Sequence, residues 1–140
     1  MKKFLVDSEN ISSSLSQALE YIQSILKACR LNLKQESRAV LMAEESLTLL
    51  MKHSDFSHDG AFYVKISKLF GDIRIKLTVP GTQFNFGEIL AADSGFDDEG
   101  MPETQEAIQN ILIHSFDDRL KYEHRYGYNR ITVTDRKSVV

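Results

Sequence analysis

Apolar positions along this chain follow two different periods, and the switches between them mark the elements. Phe4-Leu5-Val6 is a short strand candidate. Asp7-Ser8-Glu9-Asn10 follows, a cluster whose side-chain oxygens suit the free amides of a first helical turn. Ile11, Leu15, Leu19, Ile22 and Leu26 then recur at spacings of four or three, with Ala18, Ile25 and Cys29 alongside. That is one apolar stripe on a helix of about five turns. Leu31-Asn32-Leu33 breaks the period, and a second helix is predicted over 35–53, carrying Val40, Leu41, Leu47, Leu50 and Met51. Two helices joined by so short a connection pack as an antiparallel hairpin.

Beyond a polar loop at 54–60 the period drops to two. Phe62, Val64 and Ile66 alternate with Tyr63, Lys65 and Ser67; Gly71-Asp72 turns the chain; Ile73, Ile75, Leu77 and Val79 alternate with Arg74, Lys76 and Thr78. This predicts a β-hairpin with one buried and one polar face, ended by Pro80-Gly81. Residues 82–101 read as a long irregular stretch, which in a compact domain is usually functional. Pro102 suits the first turn of a third helix with Ala107, Ile108, Ile111 and Leu112 on its apolar face. Leu120 to His124, a Tyr126-Gly127-Tyr128-Asn129 turn and Ile131 to Thr134 form a closing hairpin. The order implies an α+β fold: a two-layer sandwich with three helices packed on one face of a mostly antiparallel sheet.

Composition narrows the class. The 140 residues make one domain, either whole or cut from a longer protein, with 42% hydrophobic and 26% charged residues. The net charge of −3 and the absence of any basic run argue against a nucleic-acid partner. Cys29 is the single cysteine, so no intrachain disulfide can form and a reducing, cytoplasmic setting is expected. No run reaches the roughly 18 apolar residues of a membrane span, so this segment is not expected to insert directly into a membrane.

The segment Ala43-Glu44-Glu45-Ser46-Leu47-Thr48-Leu49-Leu50-Met51-Lys52-His53 resembles the N-box helix of the histidine-kinase-like (GHKL) ATPases, most of all the anti-sigma-factor serine kinases. Thr78-Val79-Pro80-Gly81-Thr82-Gln83-Phe84-Asn85 stands where that family carries D-x-G-x-x-F, and Asn129-Arg130-Ile131-Thr132-Val133-Thr134 resembles its terminal strand. The resemblance implies a nucleotide pocket lined by Glu45, Leu49, His53, Val79, Gly81 and Phe84 and bounded by the 86–101 loop.

At that pocket the chain departs from the family. Leu49 replaces the asparagine that holds magnesium, and a hydrocarbon offers nothing to a hard cation. Val79 replaces the aspartate that accepts a hydrogen bond from adenine. Asp93-Ser94-Gly95-Phe96-Asp97-Asp98-Glu99-Gly100 replaces the glycine-rich phosphate cradle with carboxylates that repel a triphosphate. Glu45 matches the family's water-activating base, so it is the catalytic candidate only if ATPase activity survives; otherwise no catalytic residue is expected.

Other clusters are weaker. His53, Asp55, His58 and Asp59 lack the spacing of a convergent metal site, and Asp93, Asp97, Asp98 and Glu99 do not follow a calcium-loop pattern. No metal is expected. Cys29 reads as inert core. Tyr122, Tyr126 and Tyr128 offer either an exposed aromatic patch or cross-strand packing, with packing preferred.

The expected function is a non-catalytic regulatory or protein-interaction domain without a cofactor, whose partner is another protein or the remainder of a larger polypeptide. Homodimerisation stays open. One alternative is a divergent ATP-binding serine kinase or ATPase using ATP and magnesium, with Glu44, Asn85 or the acidic loop supplying the metal ligand. The other is a cytosolic regulatory domain of a membrane carrier, because the chain also resembles the extension that precedes some sodium:dicarboxylate symporter-like carriers.

Overall fold

The two helical stripes pack side by side over one face of a sheet. The computed structural model describes residues 1–56, 60–91 and 119–136. Strand β1 (Lys2–Val6) leads into helix α1 (Ile11–Ala28), which buries Ser14, Ala18, Ile22 and Leu26. At its end Arg30 takes a left-handed conformation (φ 56°), and the Lys68 ammonium donates to the Cys29 carbonyl at 2.8 Å. That bond satisfies one of the carbonyls a helix C-terminus leaves open. Helix α2 (Leu33–Lys52) starts two residues before the predicted point because Asn32 caps it, its side chain accepting the Gln35 amide at 2.8 Å.

The strands β2 (Gly60–Leu69), β3 (Asp72–Pro80), β4 (Leu120–Arg125) and β5 (Tyr128–Asp135) join β1 in one antiparallel sheet, ordered β1-β2-β3-β5-β4. Both hairpins turn on a pair of residues with positive φ: Phe70 (54°) with Gly71 (88°), and Tyr126 (54°) with Gly127 (79°). Such two-residue turns match the right-handed twist of the strands they join. The first therefore sits one residue earlier than Gly71-Asp72, and the second is shorter than the four-residue turn expected.

Helix α2 lies over β3 and β5, and α1 over β1, β2 and α2. Phe62, Val64, Ile75, Leu77, Ile131 and Val133 from the sheet meet Ile22, Leu26, Met42, Leu47 and Leu50 from the helices in one core. The α+β two-layer class is as the periodicity predicted. Two local expectations are corrected. Phe56 is buried in the core although its loop reads as polar, since an aromatic ring gains more by burial than the surrounding polar chain costs. A short helix α3 (Phe86–Ala91) occupies part of the stretch read as irregular, opened by Asn85, whose side chain accepts the Glu88 amide at 2.9 Å. The helix predicted from Pro102 and the acidic cluster at 93–99 lie outside the described residues.

Candidate functional site

The C-terminal end of α2 and the exit of β3 meet beside the hairpin β4–β5, and most of the residues singled out in the sequence gather there. Glu45 and Leu49 are spaced by four on α2, and His53, which caps its C-terminus, follows four residues later on the same side. Leu49 points into the core with 3% of its surface exposed. Val79, on the inward parity of β3, is fully buried.

Past Val79 the chain is stitched to the helix end. The Asp55 amide donates to the Pro80 carbonyl (3.0 Å), the Thr82 amide to the His53 carbonyl (3.2 Å), and Ser54 bridges Gly81 in antiparallel fashion. Gly81 is where only glycine fits: a Cβ there would collide with the His53 carbonyl oxygen. The Gly81 amide in turn donates to the Gly127 carbonyl at 3.0 Å, tying this corner to the β4–β5 turn.

Four aromatic rings follow. His53 stacks on Phe84 with ring centroids 4.1 Å apart and planes 13° from parallel. Phe84 packs on Tyr122 at 4.6 Å, and Tyr122 stacks on Phe86 at 5.5 Å. Such stacks contribute about 0.5–1.5 kcal/mol per pair beyond the area they bury. The rings run from the C-terminal end of α2, through the segment that follows Gly81, to β4. Outside them lies an open depression of about 660 Å³ lined by Gln83, Phe84, Asn85, Phe86, Gly87 and Tyr122.

A buried polar hub holds the rings in place. Asn129 is wholly enclosed, and its amide nitrogen donates to the Thr82 carbonyl at 2.8 Å. That bond fixes the side-chain orientation, since a carbonyl can only accept. The Asn129 oxygen then accepts from the Tyr122 hydroxyl at 2.6 Å and faces His124 Nδ1 at 2.8 Å, a contact in which the ring nitrogen is the donor. The Tyr122 oxygen accepts the Phe84 amide at 3.2 Å. Sequence reading placed Asn129 only in a turn and in a family motif. Its parity with Ile131 and Val133 was the available signal that it faces inward.

Glu45 is half-buried, and its Oε2 atom has no hydrogen-bond partner among the described residues. Burial raises its pKa above the ordinary carboxylate value, and the charge of neighbouring Glu44 raises it further. Such a carboxyl holds its proton more tightly than a surface glutamate and can act as a base once ionised.

The other candidates separate. Tyr122 lies on the helix side of the sheet, whereas Tyr126 and Tyr128 are exposed, so the three form no single patch. Of the His53, Asp55, His58 and Asp59 cluster, His58 and Asp59 lie outside the described residues. Among the described residues no three His, Cys, Asp or Glu side chains gather as metal ligands. Asn85 is engaged in opening α3. Cys29 is a free, half-buried thiol packed against the core. No described helix is long and apolar enough to cross a membrane.

No family model matches the chain, and no curated protein matches it. Among solved structures, the histidine kinase AdeS of Acinetobacter baumannii is similar with a TM-score of 0.47 and 12% identity, over 99% of this chain and 69% of that one. What the chain does has to follow from its own residues.

Proposed function

We propose that the chain is a non-catalytic regulatory or protein-interaction domain built on a histidine-kinase-like scaffold, acting through another protein or through the rest of a larger polypeptide. The observation that carries this reading is the pair Leu49 and Val79, both apolar and both sealed into the core. Magnesium needs oxygen ligands in near-octahedral array, and adenine needs a polar partner for its amino group. Neither side chain offers one, and the His53–Phe84–Tyr122 stack takes up the adjoining space. The residues present do not fit Mg-ATP in the family's manner.

In place of that pocket lies a depression of mixed polar and apolar lining, where the edges of the Phe84 and Tyr122 rings adjoin Gln83 and Asn85. That combination suits an apolar side chain of a protein partner, anchored by amide hydrogen bonds at its rim.

One observation favours the divergent kinase or ATPase as the second reading: Glu45 keeps a buried carboxyl oxygen without a described partner and a raised pKa. Phosphate release from Mg-ATP separates the two, because a general base contributes about 10²–10⁴-fold to rate. We expect release no faster than the buffer background for both wild type and Glu45→Gln. Release by wild type that is lost in Glu45→Gln would replace the regulatory reading with the enzymatic one.

A further inference from the structure

The sheet face turned away from α1 and α2 carries a charge opposite to that of the whole chain. The strand register arranges it in rows. Lys3, Tyr63, Thr78, Arg130 and Glu123 form one; Lys65, Lys76, Thr132 and Lys121 the next; Ser67, Arg74 and Thr134 a third. Arg125 adds a further cation beside Tyr128. Against these cations the described face sets Glu123, which Arg130 holds at 3.4 Å, and Asp72 at its margin. Lys65 and Lys76 stand directly opposite each other, a like-charge pairing that costs stability unless an anion lies over it. None of the ion pairs among the described residues involves Lys3, Lys65, Arg74, Lys76 or Lys121.

Two adjoining hollows open on this face. One, of about 340 Å³, is lined by Tyr63, Tyr126 and Tyr128 with Arg125 and Arg130, and also by Met1 and the Glu123 carboxylate that Arg130 pairs. The other, of about 200 Å³, is lined by Lys65, Lys76 and Arg130, and both share Tyr63 and Thr78. The Arg130 guanidinium is set between them by its bond to the Thr78 hydroxyl at 3.1 Å. An aromatic hollow beside a cationic one matches a flat base beside its phosphate.

We propose that this open face binds single-stranded nucleic acid, with bases stacked on Tyr63 and Tyr128 and phosphates over Lys65, Lys76 and Arg130. Five strands about 4.8 Å apart make a platform roughly 19 Å wide, and four-stranded sheets that read single strands carry two or three stacked bases. Tyrosines inside the basic field favour a single strand, in which every charged phosphate is accompanied by a stackable base, over an acidic peptide, whose charged side chains carry no ring, and over a duplex, whose bases are already stacked. The net charge of −3 is no obstacle, because at physiological salt a charge is screened within about 8 Å and the local face decides. The expectation against nucleic acid rested on the absence of a basic run. Strand alternation explains that absence: Lys3, Lys65, Arg74, Lys76 and Arg130 are each followed in sequence by an inward apolar residue, so the cluster exists only in space.

The test is fluorescence anisotropy of the whole chain with labelled oligo(U) and oligo(dT) of about ten nucleotides, at about 50 and 200 mM salt. Wild type should bind, and binding should weaken with salt. Lys65→Gln with Lys76→Gln should weaken it about tenfold or more and lower the logarithmic salt slope by about 1.4. Tyr63→Ala should weaken it about fivefold or more while leaving the slope unchanged; Tyr63→Phe, which keeps the ring, should restore it, and melting curves check that each variant folds. Absence of binding, a full effect of the lysine pair with none of Tyr63→Ala, or equal competition by polyglutamate, duplex DNA or anionic lipid vesicles would each overturn the proposal.

Discussion

Glu45 is a carboxylate whose environment resists its ionisation. Its folded pKa is raised above the ordinary glutamate value, chiefly by burial and then by Glu44. The sign follows from linkage: a carboxyl with a raised folded pKa favours the folded state below its unfolded pKa, and that advantage is lost as pH rises through the folded value. Glu45→Gln should therefore raise the melting temperature relative to wild type at pH 7–8 and leave it nearly unchanged below about pH 4. A pH series of thermal melts checks this. At Asp135 burial likewise raises the pKa, and Arg38 opposes it: the enclosed carboxylate meets Arg38 Nε at 2.7 Å while its second oxygen has no described partner. Removing only the cation strands a buried charge, so Arg38→Met should cost about 3 kcal/mol in urea unfolding. Arg38→Met with Asp135→Asn should cost less than the single change. Leu49 was singled out only through the resemblance, whereas periodicity placed Val79, because an inward parity is a local property. It could not supply the Arg38–Asp135 pair, whose members lie 97 residues apart, nor the partners of Asn129, because those depend on how the sheet closes.

At the scale of elements, the helix hairpin and the two β-hairpins were legible, since each is written in a local repeat. Their ends were less so. Asn32 capping α2 is visible only through its bond to the Gln35 amide. The left-handed φ at Phe70 and Tyr126 runs against the preference of bulky residues, so the turn positions could not be read from composition. Two glycines test the elements for different reasons. Gly127 has a φ of +79° and open space where a Cβ would go, so Gly127→Ala should cost only the left-handed penalty of about 1–2 kcal/mol. Gly81 is hemmed by the His53 carbonyl, so Gly81→Ala must break the join between α2 and the 82–85 segment. We expect it to destabilise more than Gly127→Ala in the same urea titration, by about 2 kcal/mol or more.

Over the whole molecule, the two faces of the sheet have different tasks. The helix face holds the core and, at its end, the ring stack of His53, Phe84, Tyr122 and Phe86. The open face holds the cations that the linear sequence disperses. The scaffold was therefore readable, while the content of its surfaces was not, because a surface is assembled from every strand at once. We propose that Leu49 and Val79 leave this scaffold without magnesium or adenine contacts, and nucleotide-dependent stability tests that proposal most directly. A ligand at 100 times its dissociation constant stabilises a folded protein by about 2.7 kcal/mol, which for a chain of this size raises the melting temperature by roughly 5–10 °C. We expect thermal unfolding of the purified chain to be unchanged by millimolar Mg-ATP or Mg-ADP, and a magnesium-dependent rise of that size would contradict the account.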